Sequence, residues 1–198
     1  MNVRNRAMFA SYAACQAPFT EKSIVTRIAL FSVILAGLTA CGPTLPDLEV
    51  EPIRKVLSDN SALPYECVNY DLRSDSCEGL VTRRVKGDRI FYEAFALVPG
   101  PSDPINMRLK VDFQIEDTRY CGDMRNADLV FDGTLTPGQR SLLQELLLAQ
   151  LISYGDVCGA YFREGEGYIS VTTDRNGRVM PQGVETSHFF ARPKPLRL

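Results

Sequence analysis

Residues Ile105–Glu116 read INMRLKVDFQIE, and in this stretch apolar and polar side chains alternate without interruption. Successive side chains of a β-strand point to opposite faces of the sheet, so the pattern predicts a long strand with one apolar and one polar face. A parallel sheet that is covered on both faces would show a continuous apolar run instead. We therefore expect an antiparallel sheet with one face on the core and one face in water.

A predicted hairpin precedes this strand. Residues 80–86 and 89–98 are rich in branched and aromatic side chains and flank Gly87-Asp88, and glycine supplies the positive φ that two-residue hairpin turns require. In this register one face pairs Val85 with Ile90 and Val81 with Ala94, and the other face pairs Arg84 with Phe91 and Leu80 with Phe95. Both faces are mixed, so the pattern does not assign the buried face.

More strands are predicted in the second half of the chain. Residues 157–164 and 168–174 flank a glycine-containing turn, and Asn176-Gly177 is a strong hairpin signal. Pro181 and Gly183 are expected to stop the strand that follows Asn176-Gly177, and a last strand is expected around His188. Asp128–Asp132 is expected to form a short strand.

One main helix is predicted between Thr136 and Gly155. Thr136 can cap its N-terminus, Pro137 suits the first turn, Gln139 completes a capping box, and Gly155 can end the helix in a left-handed conformation. A short helix is also expected at residues 53–57, directly after Pro52. Together with the sheet, these elements predict an α+β fold, in which a single main helix packs on one face of an antiparallel sheet.

The second half of the main helix is apolar on nearly all sides, and such a helix must be covered on all sides. One interpretation places it between the sheet and a neighbouring segment. The other interpretation is an exposed apolar patch that a partner protein covers. In the second case Leu148 and Ile152 form the possible interaction surface, whereas Leu143, Leu146 and Leu147 point toward the core.

An export signal is expected near the N-terminus. Residues 28–38, IALFSVILAGL, follow Lys22 and Arg27 and precede small residues, which is the charged, apolar, small-residue order of a secretory signal. The run is too short to cross a bilayer comfortably. Leu38-Thr39-Ala40-Cys41 resembles the lipobox of bacterial lipoproteins, in which the cysteine is acylated and becomes the mature N-terminus.

The resemblance implies that residues 1–40 are a signal peptide that is removed. Residues 41–52 would then be the acylated Cys41, carrying palmitate or a related acyl group, and an extended proline-rich tether. Residues 53–198 would form a single α+β periplasmic domain. The expected location is the cell envelope, lipid-anchored, and facing the periplasm from the outer membrane.

The charge balance bears on possible partners. The chain has 22 basic and 24 acidic side chains, and residues 41–198 retain 18 and 23 of them after Arg4, Arg6, Lys22, Arg27 and Glu21 are removed. Nucleic-acid affinity depends largely on phosphate neutralisation by a basic surface, so nucleic acid is not an expected partner. Acyl chains, rather than electrostatic attraction, are expected to hold the protein to the membrane.

The cysteines agree with export. Cys15 belongs to the leader and Cys41 to the anchor, which leaves Cys67, Cys77, Cys121 and Cys158 as two disulfides with three possible pairings. We favour Cys67–Cys77, which brackets a short polar loop, and Cys121–Cys158, which ties a loop to the segment after the main helix. A zinc site is not expected, because no CxxC motif occurs and His188 is the only histidine.

Few residues in the sequence suggest a catalytic, cofactor-binding or metal-binding site. The sequence has no glycine-rich phosphate loop, GxSxG or HExxH motif, and no cofactor site is predicted. His188 could act as a base, but a histidine beside two phenylalanines is more often structural. Asp71, Asp75 and Glu78 could gather around a cation, but they lack the ligand spacing of a calcium loop.

Three function classes follow from these patterns. The first is a non-enzymatic lipoprotein of the cell envelope with a structural or protein-docking role. The second is a periplasmic module that binds a small apolar ligand or peptide, which predicts a concave, partly empty pocket lined by Phe and Leu. An enzyme is the third and least favoured class, because the sequence lacks the residues of a catalytic constellation.

Overall fold

The computed structural model describes residues 48–100, 103–133 and 135–198. Cys41, the predicted signal peptide at residues 1–40 and most of the predicted tether lie outside the described residues. The lipoprotein assignment therefore stays a prediction from the sequence.

The described residues form ten strands, two α-helices and a short 3-10 helix. In chain order these are β1 (Val50–Glu51), α1 (Ile53–Asp59), β2 (Tyr65–Val68), β3 (Gly79–Lys86), β4 (Arg89–Val98), β5 (Ile105–Glu116), β6 (Arg119–Asp123), the 3-10 helix (Met124–Asn126), β7 (Asp128–Asp132), α2 (Pro137–Tyr154), β8 (Asp156–Glu164), β9 (Gly167–Asp174) and β10 (Val179–Phe190).

Eight of the strands form a sheet that closes on itself. Strands β2 to β6 and then β8 to β10 follow one another as antiparallel neighbours, and β10 pairs back with β2. The two remaining strands extend it at the side, β1 along β8 and β7 along β5. The result is a closed, eight-stranded antiparallel barrel.

The predicted α+β fold, with an antiparallel sheet packed on one face by a single main helix, is therefore wrong. The strands cover their own apolar face by curving around it, and no helix is needed for that purpose. An alternating strand reads the same in an open sheet as in a barrel, because in both cases one face is buried and the other is wet. The antiparallel pairing itself was correctly predicted.

Local strand predictions are confirmed. β5 spans Ile105–Glu116, with Val111, Phe113 and Ile115 buried on the apolar face. The hairpin of β3 and β4 turns at Gly87, which has φ of 62°, and has the predicted register, with Val85 opposite Ile90. The polar face of β5 is turned away from the barrel interior.

The short helix α1 closes one end of the barrel. Ile53 and Val56 are fully buried and pack in the same cluster as Ile90 and Ile115. The Ile53 backbone N–H donates to the carbonyl oxygen of Asp117 at 2.8 Å, which fixes the helix against the β5–β6 turn. The apolar interior is thereby sealed at this end.

Helix α2 begins and ends as predicted. Thr136 and Gln139 form a reciprocal capping box, Pro137 lies in the first turn, and Gly155 follows the last helical residue with φ of 61°. The helix packs by one side against β7 and the start of β5, where its apolar contacts form one cluster: Leu143, Leu147 and Leu151 with Ile105, Leu129 and Phe131.

The remaining surface of α2 is exposed, and none of its residues is fully buried. Leu146 was expected to face the core, but 60% of its surface is exposed. That expectation was wrong because the barrel covers its own core and leaves α2 only one face to bury. Leu148 is partly buried and Ile152 is 43% exposed. Within the described part of the chain, no helix combines the length and apolar character that crossing a membrane requires.

Both favoured disulfides are present. Cys121 of β6 and Cys158 of β8 lie directly opposite each other on paired strands and are bonded, with 4.1 Å between their Cα atoms. Cys67 of β2 is bonded to Cys77, which lies just before β3. The Cys121–Cys158 bond crosslinks two strands that are separated in sequence by β7 and α2.

Strand β10 differs from its prediction. Pro181 and Gly183 were expected to end it, yet β10 runs from Val179 to Phe190. The chain forms a bulge, because Val179 pairs with Thr173 whereas Val184 pairs with Val171. A bulge leaves residues outside the ladder, so Pro181 is accommodated without losing a ladder hydrogen bond.

Candidate ligand site inside the barrel

A buried ion pair lies inside the barrel. Glu66 of β2 is 3% exposed, and the side chain of Arg83 on β3 is 6% exposed. Their charged groups lie 3.3 Å apart, and the Glu66 carboxylate also accepts hydrogen bonds from Tyr161 at 2.9 Å and Ser187 at 2.8 Å. The guanidinium carbon of Arg83 lies 4.0 Å from the centre of the Phe189 ring. Each charged group of the ion pair therefore has further favourable contacts: hydrogen bonds for the Glu66 carboxylate and an aromatic ring for the Arg83 guanidinium.

Electrostatic interactions keep the Arg83 guanidinium ionised. Burial alone would lower the pKa of the Arg83 guanidinium, but the charge of Glu66 and smaller contributions from nearby tyrosines outweigh it. The net shift of the Arg83 pKa is upward. A charged arginine is required here, because a buried carboxylate without a countercharge is strongly unfavourable.

Three tyrosines line the interior beside the ion pair. The hydroxyl groups of Tyr92 and Tyr161 lie 3.2 Å apart, and the Tyr120 ring centre lies 5.2 Å from that of Tyr92. Burial, reinforced by the charge of Glu66, raises the pKa of Tyr92 to about 12. Burial likewise raises the pKa values of Tyr120 and Tyr161 well above the ordinary value. These phenols therefore stay protonated and remain able to donate.

Two glycines make room for these rings. A Cβ at Gly159 would overlap the phenol ring of Tyr120, its partner in the β6–β8 pairing. A Cβ at Gly122 would overlap the ring of Phe113. A barrel of eight strands has an interior that side chains can just fill, so large rings require small neighbours.

The rings do not fill the barrel completely. A cavity of about 270 Å³ lies between the aromatic side chains and the partly exposed residues toward the end opposite α1. Its aromatic wall consists of Tyr92, Phe113, Tyr120 and Tyr161, and its aliphatic wall includes Val68, Val81, Ala94, Leu109 and Val111. Glu66, Ser170, Thr172 and Glu185 supply its polar groups.

Glu185 is the least satisfied of these polar groups. It lies on β10 just after the bulge and is paired with Ser170 of β9. Among the residues that the structure describes, no donor hydrogen-bonds its carboxyl group and no cation pairs with it. Burial and, to a lesser degree, the charges of Glu66 and Glu78 raise its pKa from 4.5 to about 7. Glu185 is partly exposed, so the cavity contains a carboxyl group that reaches water but has no partner among the described residues.

Two larger grooves lie partly or wholly on the outer surface. One of about 760 Å³ runs between the C-terminal segment and the outer faces of β3 and β4, and includes Leu80, Phe95 and Leu196. Another of about 520 Å³ includes the exposed side chains of Arg84 and Lys110. Enclosure of a small molecule requires walls on most sides. The interior cavity is lined by side chains from all eight barrel strands, is open to solvent on one side, and presents buried polar groups.

Asp71 and Asp75, inside the Cys67–Cys77 loop, and Glu78, just after it, do not gather around a cation in the described structure. Asp71 accepts hydrogen bonds from Arg73 and Ser74, and Asp75 accepts one from the hydroxyl group of Tyr70 at 2.6 Å. Lys194, at 2.7 Å, and then Tyr70 lower the pKa of Asp75, and the hydrogen bonds from the Arg73 backbone N–H and Ser74 lower the pKa of Asp71. Glu78 is bonded to Asn69 and Arg197. All three carboxylates are thus satisfied by protein groups.

His188 lies on the outer face of β10, on the opposite side of the strand from Ser187 and Phe189. Its ring packs 5.7 Å from that of Tyr70, and its Nδ1 atom is buried without a hydrogen-bond partner among the described residues. Gly167 approaches it so closely that a Cβ there would meet Nε2. His188 is therefore remote from the polar groups of the cavity and packs as an aromatic side chain.

The sequence patterns missed the polar residues in and beside the cavity, although the predicted apolar face of β5 supplies Leu109, Val111 and Phe113 to its lining. The mixed faces of the β3–β4 hairpin left Arg83 unassigned, and its inward position follows only from closure of the barrel. On β10, Glu185 and Ser187 point inward while Val184 and His188 point outward. Apolar and polar side chains therefore do not separate onto two faces of this strand, and the sequence pattern does not show which face is buried. A signal was present in the predicted register, which placed Arg83 on the same face as Val81 and opposite Tyr92.

Comparison of the chain with family models, curated proteins and solved structures gave no match. Within the described ranges, no group of three or more His, Cys, Asp or Glu side chains is arranged to hold a metal ion. The cavity and the predicted export segment are therefore the two features from which a function can be inferred.

Proposed function

We propose that this protein is a lipid-anchored, non-enzymatic protein of the cell envelope that binds a small molecule inside its barrel. The observation that carries the proposal is the cavity of about 270 Å³ beside a buried polar cluster. A concave, partly empty pocket is the feature expected of a ligand-binding module. The sequence predicted a lining of Phe and Leu, but tyrosines and two glutamates line the cavity together with Phe113 and Leu109.

The size of the cavity limits the ligand. A cavity of roughly 150 Å³ holds benzene, so the space here suits a molecule of roughly twice that size. Most of the walls are apolar, with a few polar groups that could orient a ligand. We therefore infer a small molecule rather than a peptide as the occupant.

Support for the lipid anchor comes from the Leu38-Thr39-Ala40-Cys41 sequence and the apolar run before it. Replacing Cys41 with serine removes the thiol that acylation needs, so the variant should no longer sediment with membranes after detergent-free washing. Stable attachment ordinarily requires two acyl chains or equivalent signals. Cys15→Ser, which alters the leader but not the lipobox, serves as the control and should remain in the membrane fraction.

Equal membrane recovery of Cys41→Ser and the unchanged protein would contradict the anchor. It would leave ligand binding untouched, because the cavity residues lie far along the chain from Cys41.

The cavity itself is tested by filling it. Ala94 of β4 lines the cavity, and Ala94→Phe should occupy the space that a ligand needs. We expect the full chain, purified from membranes in detergent, to bind 2-phenylethanol in ligand-observed NMR and Ala94→Phe to lose at least tenfold in affinity. Ala149→Phe, on the exposed side of α2, makes the same chemical change outside the cavity and should bind normally.

Circular dichroism would establish that both variants remain folded. If the unchanged protein takes up no 2-phenylethanol or related small aromatic probe, ligand binding in the barrel is wrong. If Ala94→Phe binds as well as Ala149→Phe, the probe occupies another site.

A docking role is the second candidate, and the exposed side of α2 favours it. Leu142 is 59% exposed, Leu146 is 60% exposed and Ile152 is 43% exposed, which is unusual for large apolar side chains on one helix. An envelope protein could cover this surface, with Leu148 at its margin. Crosslinking in intact envelopes from a photoreactive residue at position 142, compared with one at position 166 in the β8–β9 turn, would test it.

A further inference from the structure

The charges inside the barrel do not balance within the cavity. Glu66 and Arg83 neutralise each other at 3.3 Å, and the tyrosines beside them are neutral. Glu185 has no such partner in the part of the chain that the structure describes. When Glu185 is ionised, the cavity carries one uncompensated negative charge.

The elements packed against Glu185 contribute hydroxyl groups and carboxylates. β9 contributes the hydroxyl groups of Ser170 and Thr172, which also line the cavity. β2 contributes the carboxylate of Glu66, and the segment before β3 contributes the carboxylate of Glu78, and both repel an ionised Glu185. Arg83, whose side chain lies inside the barrel, is paired with Glu66 and lies over the Phe189 ring.

We propose that the ligand of this cavity is a small primary amine with an apolar or aromatic body, and that Glu185 is the counter-ion of its ammonium group. This inference rests on the proposed function, since it names the class of molecule that the barrel would bind. An ammonium group has three donors. Glu185, Ser170 and Thr172 offer three acceptors on two adjacent strands.

The aromatic wall favours the same ligand. The face of an aromatic ring carries partial negative charge and attracts cations. Tyr92, Tyr120, Tyr161 and Phe113 provide such rings around the cavity without introducing a charge of their own. They also offer apolar surface for the body of the ligand.

The same groups disfavour an anionic ligand. A carboxylate or phosphate in the cavity would face Glu66 and Glu185, and like charges brought together out of water are strongly unfavourable. A neutral ligand would leave Glu185 unpaired. A ligand with an ammonium group avoids both the charge repulsion and the unpaired Glu185 carboxylate.

The test uses three probes of nearly equal shape and different charge: 2-phenylethylamine, 2-phenylethanol and 3-phenylpropionate. Affinities are measured at pH 8 for the full chain in detergent, with Glu185→Gln in the same detergent as the matched variant. We expect the amine to bind at least tenfold more tightly than the alcohol, and the carboxylate to bind most weakly. In Glu185→Gln the preference for the amine should fall to less than threefold.

The outcomes separate the two proposals. Equal binding of the amine and the alcohol, or an amine preference that survives in Glu185→Gln, would overturn the assignment of the ligand class while leaving ligand binding in the barrel intact. Tightest binding of 3-phenylpropionate would overturn it as well. Failure of all three probes to bind, with Ala94→Phe indistinguishable from the unchanged protein, would overturn the proposed function together with the ligand class.

Discussion

Glu66→Gln should destabilise the folded protein by about 3 to 5 kcal/mol, because it leaves the buried Arg83 guanidinium without a countercharge. The substitution preserves the shape of the side chain, so its effect reports on charge more than on packing. The free energy of unfolding, measured by urea denaturation at pH 7, checks this expectation.

Glu93→Gln is the matched control for this prediction. Glu93 pairs with Arg108 and Lys110 at 3.6 Å on the outer face of the same barrel, where all three side chains are 35% to 47% exposed. Exposed ion pairs contribute roughly 0 to 1 kcal/mol, so this variant should change stability little.

A second variant separates the pair from its individual charges. Adding Arg83→Met to Glu66→Gln removes the orphaned cation and should recover a substantial part of the lost stability. Similar losses for Glu66→Gln and Glu93→Gln would mean that water reaches the Glu66–Arg83 pair and that the barrel interior is not sealed beside α1.

Glu185→Gln should stabilise the protein at pH 8 by up to about 3 kcal/mol and have little effect at pH 5, because each pKa unit corresponds to about 1.4 kcal/mol. The pKa of Glu185 is raised from 4.5 to about 7, chiefly by burial. Below pH 4.5 the carboxyl group is protonated in both the folded and the unfolded chain. Between these pKa values the folded chain binds the proton more tightly, so stability falls as pH rises through about 7.

Glutamine resembles the protonated carboxyl group and does not ionise, so the variant should lack this loss of stability. Urea denaturation at pH 5, 6, 7 and 8 would reveal the difference. Glu166→Gln, in the exposed β8–β9 turn, is the control and should show no pH-dependent difference. A constant difference between Glu185→Gln and the unchanged protein from pH 5 to pH 8 would show that Glu185 titrates normally.

These two predictions bear on function in different ways. Glu66 and Arg83 support the floor of the cavity, and their loss is expected to weaken the whole barrel. Glu185 lowers stability near neutral pH in the absence of a ligand, which is typical of a group that serves binding rather than folding. An ammonium ligand would restore that stability when it binds.

The sequence by itself determined the local structure of this protein. The alternation of residues 105–116 predicted β5, the Gly87 turn predicted the register of β3 on β4, and the cap residues predicted the bounds of α2. The spacing of the cysteines, together with the predicted export signal, led to the prediction of both disulfides. These features depend on neighbouring residues, whose side-chain direction and backbone preferences follow directly from the chain.

Closure of the barrel and assembly of the cavity were decided only by the tertiary structure. β10 reaches β2 across more than half of the chain, and the Ser187–Glu66 hydrogen bond joins residues 121 positions apart. An alternating strand has the same pattern in an open sheet and in a closed one, so the sequence does not reveal which polar side chains become enclosed. Glu66, Arg83 and Glu185 are surface-like residues in the sequence. They became interior groups because curvature of the sheet brought them, with the tyrosines, to the inside of one barrel.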